Sequence, residues 1–576
     1  MMLLRDAQRL EDVLLEISKG NAVDESQLLP FLCLEENEKR CEVNAKLAAA
    51  CAEAGNLEQA KTFVERAWIL SRFSADLAPL YSKICSSLGD IPSIRNAYKR
   101  LGLKRSEEGD VSGAIHYFDL WQYTHAAFTN VDRYEYDFDI LGAMDRLAER
   151  YRFPLRREIS SPKGRRIRLA YLAKGVAETG SVLLKINLLF AKFHDRSRFE
   201  LTFFTPETEK TILNSARGKE NIKLFEQVNC KVIWAPDSKT LEETVLTVAQ
   251  KIYEAKPDLL ISSAALADFK HYFLVSLRPA PITLGFIQGP LPQFAPLCLD
   301  WGIAWVRHPL IDCPVGCSLV DLEEELPRRK EVIPYERRQL NLPEHSLLLM
   351  SGGRHVKFQD PECWKAIIDV LGKHSHVFYL AVGVQEDQLP FLAPMVPHEV
   401  KDRIRFFDWR TEGDYLKILC LADILIDTFP SGGGAILFDA MALGIPVVSF
   451  KNNYMRRFDQ TDWSVAEEVV PIPEMIVPRG DFGRFKAVVS RLIEDEDYRQ
   501  DIADRCRKDV HEKRGNPRRM VQRCEEIYLK RIKKERAQNA PGGHDSKTFQ
   551  KGIGRITGRL WRVFANQSRH TAKEDR

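Results

Sequence analysis

The chain lacks the features that place proteins in membranes or on nucleic acids. No apolar run of about eighteen residues occurs in its 576 residues, so we expect no membrane-spanning helix. The 84 basic and 81 acidic residues leave a net charge of +3, which gives no general attraction for nucleic acid. The opening segment from Met1 to Arg9 carries charge early and holds no signal-peptide stretch. These absences predict a cytoplasmic protein.

The cysteines predict neither a disulfide framework nor a metal site. The twelve cysteines are scattered, and a chain of this length does not need disulfides to hold a core. Cys313 and Cys317 form the one close pair, with no second pair or histidine at zinc-ligand spacing. We therefore expect no metal and no bound cofactor.

Residues 1–150 have the pattern of an all-α domain. Alanine and leucine recur at three- and four-residue spacing. Gly55, Gly89 and Gly109 are each followed by a polar residue, as at helix ends, and the first two are 34 residues apart, the tetratricopeptide period. The next gap is only 20 residues, so a tetratricopeptide-like domain and an irregular helical bundle both remain open. Either offers a surface for a partner.

Beyond a Pro-, Ser- and Arg-rich linker the pattern changes to short strands alternating with helices. This alternation predicts an α/β fold with parallel sheets in two Rossmann-like domains, residues 165–335 and 336–535, which face a crevice. Ligands in such sheets bind outside the carboxyl ends of the strands. The predicted strands are 167–173, 199–204, 231–234, 258–262, 346–351, 376–382, 403–407, 422–427 and 446–450.

The segment 537–576 loses the core pattern and ends in basic residues with apolar side chains at helical spacing. An amphipathic helix on an acidic membrane surface is one interpretation, which makes the protein membrane-peripheral. A helix packed back on the protein and a partly disordered tail are the others.

The strongest local signal is the glycine-rich turn Asp427-Thr-Phe-Pro-Ser-Gly-Gly-Gly-Ala435 between a strand and a helix. Glycines let a backbone approach a ligand, and the N–H groups of a helix start suit a diphosphate. The spacing fits neither a dinucleotide nor an ATPase motif. The predicted phosphate-facing residues are Ser431 at the N-cap, Gly432, Gly433, Gly434 and Ala435. Asp439, one turn into the helix, is either a ribose-binding or a solvated carboxylate.

A second loop places two cations at the same sheet edge. Arg354 and Lys357 follow the first strand of the last predicted domain. Arginine binds a diphosphate as a fork and lysine as a point charge, and both offset the charge that builds on a departing nucleoside diphosphate. The alternative is a pair of solvated surface cations.

Four segments, in order and spacing, resemble one enzyme group: Arg278–Ile282, Lys357–Pro361, Tyr415–Leu419 and the stretch from Asp427 to Pro446. That group comprises the O-linked N-acetylglucosamine transferases and the bacterial adhesin N-glucosyltransferases. The resemblance covers about residues 165–530. It implies a two-Rossmann, GT-B type glycosyltransferase behind a helical, tetratricopeptide-like region. It also implies a UDP-sugar donor, no metal, and a protein side chain as acceptor.

The resemblance assigns roles on the donor side. Lys357 is similar to the lysine that binds the donor diphosphate and assists departure of the leaving group. Arg354 stands where a donor-contacting polar residue is usual, and Tyr415 lies in the segment beside the uracil. The family's ribose-binding carboxylate corresponds to Asp439. Residues 432–435 replace polar phosphate-facing residues and leave mainly backbone N–H groups.

The acceptor side departs from the family, because the expected histidines are missing. The loop after the first strand, Lys174-Gly-Val-Ala-Glu-Thr-Gly-Ser181, contains none. Glu178, Gln288 and Asp268 are candidate substitutes, and Glu178 ranks first because a carboxylate in that loop suits a general base.

The leading hypothesis is an inverting, metal-independent transferase that moves a hexose or N-acetylhexosamine from a UDP-sugar to a protein bound by the helical region. A growing polysaccharide or a lipid-linked glycan is an alternative acceptor. A nucleotide-sugar-binding scaffold without catalysis is a third reading. None of these needs a nucleic-acid partner.

Overall fold

The computed structural model describes residues 2–21, 23, 25–34, 36–128, 137–154, 165–178, 182–263, 268–287, 299–304, 317–408, 412–430, 432–451 and 465–539. Within these ranges, a helical region precedes two parallel sheets that are covered by helices. The predicted fold class is therefore confirmed. Gln288, Ser431 and the basic segment beyond residue 539 lie outside the described residues.

The helical region is built from helix pairs whose ends carry the repeated glycine signal. Gly55, Gly89 and Gly109 have left-handed φ angles of 78°, 70° and 82°, which glycine adopts without strain. The side chains of Asn56 and Asp90, next in the chain, cap the following helices. The helices are α1 (Met2–Ser18), α2 (Glu25–Leu32), α3 (Asn37–Glu53), α4 (Leu57–Leu70), α5 (Ala78–Ser87), α6 (Ile91–Glu108), α7 (Val111–Phe128) and α8 (Phe138–Glu149).

The first sheet has its strands in the order β3-β2-β1-β4-β5-β6-β7, all parallel. Its strands are β1 (Ile167–Leu172), β2 (Phe199–Thr208), β3 (Lys231–Ala235), β4 (Leu259–Ser262), β5 (Thr283–Ile287), β6 (Trp301–Ala304) and β7 (Cys317–Leu319). The helices of this region are α9 (Val182–Phe193), α10 (Glu209–Asn214), α11 (Ala216–Gln227), α12 (Leu241–Ala255) and α13 (Phe269–Ser276). The strand order reverses direction at β1, so the crevice lies beyond the carboxyl ends of β1 and β4.

The second sheet has the order β10-β9-β8-β11-β12-β13, again parallel. Its strands are β8 (Leu347–Gly352), β9 (Val377–Val382), β10 (Ile404–Phe407), β11 (Ile424–Ile426), β12 (Val447–Phe450) and β13 (Ile476–Val477). Its helices are α14 (Pro361–Lys373), α15 (His398–Lys401), α16 (Glu412–Leu419), α17 (Ala435–Ala442), α18 (Val465–Val469), α19 (Phe482–Glu494), α20 (Glu496–Arg514) and α21 (Pro517–Asn539). The reversal here falls between β8 and β11, the strands that precede both predicted donor loops.

The two faces of β1 belong to different cores. Leu169 and Tyr171 pack in the core that continues through α9 to the second sheet. Ala170 and Leu172 pack with α7 and α8 of the helical region. Side chains alternate along a strand, so burial of both faces explains the near-continuous apolar sequence. The helical region therefore shares a core with the first sheet.

The last helix, α21, returns from the second sheet to the first. The hydroxyl of Tyr528 lies 2.9 Å from that of Tyr171, which lies 2.6 Å from Nε2 of His194. Nδ1 of His194 lies 2.8 Å from Oε1 of Glu525, and all four side chains are buried. Burial lowers the pKa of His194. This polar network anchors α21 on the first sheet and fixes one side of the crevice.

All nine predicted strands are present, with ends shifted by four residues or fewer. Four short strands were missed: β5, β6, β7 and β13, which have 5, 4, 3 and 2 residues. Such short runs carry too little periodicity to be separated from loops. Among the described helices, none is both long and apolar enough to cross a bilayer.

Candidate functional site

The glycine-rich turn after β11 is organised by the buried carboxylate of Asp427. Its Oδ1 accepts N–H groups of Thr428 at 2.9 Å and Gly433 at 2.6 Å, and its Oδ2 accepts the hydroxyl of Ser449 at 2.6 Å. Burial raises the pKa of Asp427, and these three donors oppose that shift. The strand end, the turn and the neighbouring strand β12 are thus tied to one side chain.

Two glycines of the site pack closely against the side chain of Ile436. A Cβ on Gly433 would lie 2.4 Å from Cγ2 of Ile436, and a Cβ on Gly352 would lie 2.6 Å from Cδ1 of the same side chain. Both distances are shorter than real Cβ contacts allow. Gly433 therefore serves the close packing of Ile436 as well as any approach of a ligand.

The start of α17 differs from the prediction in its N-cap. That position is held by Gly434, which has no side chain to cap the helix, and Ser431 lies outside the described residues. The first helical residue is Ala435, which is partly buried. An uncapped helix start leaves N–H groups without intrahelical partners, which is the property that suits a phosphate.

Lys357 joins the two predicted donor loops. It lies on the 3₁₀ turn His355–Phe358 after β8, and its Nζ donates to the carbonyl oxygen of Gly432 at 2.7 Å. Burial lowers the pKa of Lys357 to about 8, opposed by Asp427 and assisted by the charge of Arg354. Arg354 itself is exposed. A partly buried ammonium that titrates near neutral pH therefore lies at the mouth of the glycine turn.

Tyr415, on α16, packs beside the end of β8. A Cβ on Gly352 would lie 3.4 Å from Cε2 of the tyrosine ring. The hydroxyl is buried and has no hydrogen-bond partner within the described part of the chain. Burial raises the pKa of Tyr415 well above its usual value, and the charge of Asp439 adds to the shift. Tyr415 and Asp439 are therefore close enough to interact.

Asp439 is buried on α17, which excludes the solvated-carboxylate alternative and leaves its ribose-binding role a prediction. Its Oδ1 lies 3.8 Å from Nζ of Lys185, which projects from α9 beside the other sheet. The same Nζ lies 3.1 Å from Oε2 of Glu324, in the segment between β7 and β8. Sequence reasoning missed Lys185 and Glu324, because neither stands in a motif.

On the opposite side of the crevice, the loop after β1 is held by Glu207 at the end of β2. The Glu207 carboxylate accepts N–H groups of Gly175 at 2.6 Å, Val176 at 3.0 Å and Ala177 at 2.7 Å. Glu178 follows directly, and its side chain is exposed. The structure thus places the predicted base at the carboxyl edge of the first sheet, and no described contact joins it to Lys357.

Asp268 lies near this loop but is engaged in the protein. Its Oδ1 caps α13, and its Oδ2 lies 3.0 Å from Nζ of Lys174 and 3.3 Å from Nδ1 of His271. Asp119 of α7 accepts the N–H of Phe269 at 2.8 Å. Burial raises the pKa of Asp119 to about 7, and the charge of Asp268 adds to the shift. We call Lys174, Asp268, His271 and Asp119 the acceptor-side cluster.

A spacing signal for part of this cluster was present. Aspartate at an N-cap and histidine three residues later place Asp268 and His271 on one helix turn at the sheet edge. Nothing in the sequence indicates that Asp119, in the helical region, joins them. Among the described residues, no three His, Cys, Asp or Glu side chains are arranged to hold a metal ion, and metal independence stays a prediction.

The fold has counterparts among solved structures. A mutant O-GlcNAc transferase from Thermobaculum terrenum superposes with a TM-score of 0.53 and 14% identity, over 93% of this chain and 99% of that one. HepE from Anabaena, in complex with UDP-glucose, gives a TM-score of 0.47 at 15% identity, over 63% of this chain and 100% of that one. A glycosyltransferase from Rickettsia africae gives 0.45 at 12% identity, over 64% and 99%.

At such identities the first of these likenesses establishes the fold alone: two Rossmann-like domains of the GT-B type behind a helical region. No protein-family model matches the chain, and no curated protein matches it in sequence.

Proposed function

We propose that this protein is a glycosyltransferase that transfers a hexose or N-acetylhexosamine from a UDP-sugar to a protein side chain. The observation that carries the proposal is the position of Lys357. Its ammonium reaches the carbonyl of Gly432 at 2.7 Å, and thereby lies between the two loops at the strand-order reversal of the second sheet. In doubly wound sheets, this is where ligands bind.

The donor diphosphate binds between the start of α17 and the loop after β8. The N–H groups at the helix start, beyond Gly434, supply partial positive charge, and exposed Arg354 reaches the phosphates from solvent. Gly433 N–H takes no part, because it already donates to Asp427. Asp439 accepts hydrogen bonds from the ribose, and the Tyr415 side chain lines the nucleoside part of the pocket.

Lys357 assists departure of the nucleoside diphosphate. When the bond from the sugar's anomeric carbon to the phosphate oxygen breaks, its electron pair stays on that oxygen and adds negative charge. A cation fixed at that place stabilises the transition state more than the ground state. A lysine with a pKa of about 8 is also protonated enough at neutral pH to supply this charge.

The acceptor enters from the side of the first sheet. Exposed Glu178 is the proposed base that removes the proton from the attacking group, because Asp268 is partly buried and already ion-paired with Lys174. Attack from the face opposite the diphosphate inverts the configuration at the anomeric carbon. Contact of α7 with the acceptor-side cluster supports delivery of the protein acceptor by the helical region.

The test is transfer of radiolabel from UDP-glucose, UDP-galactose or UDP-N-acetylglucosamine to macromolecules in a cell lysate, with GDP-mannose as the mismatched donor. We expect one UDP-sugar to label material that protease digestion releases, in the presence or absence of EDTA. Label that partitions into organic solvent would identify a lipid-linked glycan, rather than a protein, as the acceptor. UDP binding without any labelling would instead support a non-catalytic scaffold.

A further inference from the structure

A cation from the first α/β region reaches the proposed nucleoside pocket of the second. Nζ of Lys185 on α9 lies 3.1 Å from Oε2 of Glu324 and 3.8 Å from Oδ1 of Asp439. Because both distances share one atom, the two carboxylates are close neighbours. One ammonium thus joins three segments of the chain across the crevice.

Glu324 lacks the hydrogen bonds that a buried carboxylate normally has. The residue is fully buried. Its Oε2 has an ion-pair contact with Lys185 that lacks hydrogen-bond geometry, and its Oε1 has no hydrogen-bond partner in the described ranges. Buried carboxylates in proteins are nearly always hydrogen-bonded, because water is no longer there to solvate them. Open acceptor capacity in this position indicates a ligand that donates hydrogen bonds.

A second, independent group near Asp439 lacks a partner. The hydroxyl of Tyr415 is buried and unpaired within the described residues; burial raises its pKa, and the charge of Asp439 adds to the shift. Around Asp439 there is therefore an open acceptor, Glu324, and an open donor, Tyr415. A sugar ring with neighbouring hydroxyls satisfies both, since each hydroxyl both donates and accepts.

We propose that Lys185 and Glu324 complete the ribose pocket from the opposite side of the crevice, so that binding of the nucleoside diphosphate holds the two α/β regions together. This inference rests on the proposed function. Glu324 and Asp439 accept from the ribose hydroxyls, and Lys185 offsets part of the negative charge of these two carboxylates, which otherwise repels the donor's diphosphate. Lys185 is thus a positioning residue for the donor.

The pocket distinguishes ribose from deoxyribose. A nucleotide without the 2′-hydroxyl leaves a buried acceptor unpaired, and such a loss lowers affinity by about tenfold or more. This discrimination depends on Lys185, because without its ammonium the two carboxylates repel each other and the diphosphate. A residue that only held the regions together would change stability but leave the discrimination intact.

The experiment compares UDP and 2′-deoxy-UDP by calorimetry on the full chain and on Lys185→Met. The matched control is Lys192→Met, on the same helix, which breaks the ion pair to exposed Glu325, the residue after Glu324 in the segment between β7 and β8. We expect wild type and Lys192→Met to bind UDP about tenfold more tightly than 2′-deoxy-UDP. Lys185→Met loses about tenfold in UDP affinity and most of the discrimination.

The Lys185→Met protein could unfold, because it leaves the buried charge of Glu324 without a partner. A second variant avoids this problem. In Lys185→Met with Glu324→Gln that charge is absent, and we expect the discrimination to fall again, because the charged acceptor for the ribose hydroxyl has been removed. Wild-type affinity and discrimination in the double variant would overturn the inference and leave the proposed function standing. Failure of the wild-type chain to bind any uridine nucleotide would contradict the proposed function itself.

Discussion

The two sides of the crevice differ in the groups that they present: mainly backbone on the proposed donor side, and paired side chains on the proposed acceptor side. The donor side is made of backbone: the turn around Asp427, the uncapped start of α17 and one partly buried cation, Lys357. The acceptor-side cluster is made of side chains, in which Lys174 and Asp268 already satisfy one another. The donor side is thus ready to receive an anion, whereas the acceptor side keeps its charges paired within the protein.

The two sides also differ in how far apart in the sequence their contacting residues lie. Asp427 accepts an N–H group six residues away, at Gly433, so a local pattern encodes the turn. Lys174 and Asp268 are 94 residues apart, and the contact from Asp119 to Phe269 spans 150. The proposed diphosphate site therefore depends on a local pattern, while the proposed acceptor contacts depend on how the helical region meets the first sheet.

The largest expected effect comes from Lys357→Ala, which removes a cation that joins both proposed donor loops. We expect kcat to fall by roughly 10²–10³-fold, because the charge on the leaving group loses its fixed partner. UDP binding should weaken far less. The measurement is steady-state transfer together with calorimetric UDP affinity.

Lys373→Ala is the matched control for that variant, since it breaks an exposed ion pair with Glu494 on the same domain. Its kcat should equal that of wild type. Equal kcat values for Lys357→Ala and Lys373→Ala would contradict the proposal that Lys357 assists departure of the leaving group.

Asp427→Ala should destabilise the second α/β region by roughly 2–4 kcal/mol, because three hydrogen bonds to a buried carboxylate are lost. UDP affinity should fall with it as the turn loses its geometry. Asp423→Ala is the control: it removes the acceptor for Leu348 N–H at the opposite end of the same sheet. Chemical denaturation and UDP titration separate the two, since Asp423→Ala should lose some stability and no affinity.

Features encoded by local sequence patterns were predicted better than contacts between distant segments of the chain. The nine predicted strands and the meeting of Lys357 with the glycine turn are present, because periodicity and glycine patterns encode them locally, whereas four short strands were missed. The burial of Asp439 against Lys185 was not, because it depends on how two regions pack across the crevice. The prediction of Glu178 as the base stays untested.

The pH dependence of UDP binding tests the role of the Lys357 charge on the proposed donor side. The pKa of Lys357 is about 8 in the folded protein, so the ammonium is lost as the pH rises through that value. UDP affinity should therefore fall between pH 7 and 9, by up to about tenfold per unit above the pKa. Titrations in buffers of different ionisation enthalpy should show proton uptake on binding near pH 8. Affinity that is constant over this range would contradict a role for the Lys357 charge.

The smallest expected effect lies on the acceptor side, in Asp119→Asn. The pKa of Asp119 is raised to about 7, so the folded protein holds a proton that the unfolded chain releases above about pH 4. The free energy of unfolding therefore falls as the pH rises from about 4 to 7, because Asp119 ionises in the unfolded chain before it ionises in the folded protein. Thermal unfolding should show wild type losing more stability than Asp119→Asn over that range, with UDP affinity unchanged in both.

The most direct test of the account is a calorimetric titration of the full chain with UDP and with GDP at pH 7, repeated on Lys357→Ala. We predict one UDP site per chain, clear preference for UDP over GDP, and UDP binding that persists in the variant. Absence of UDP binding to the wild-type chain would contradict the central claim that the crevice is a UDP-sugar site.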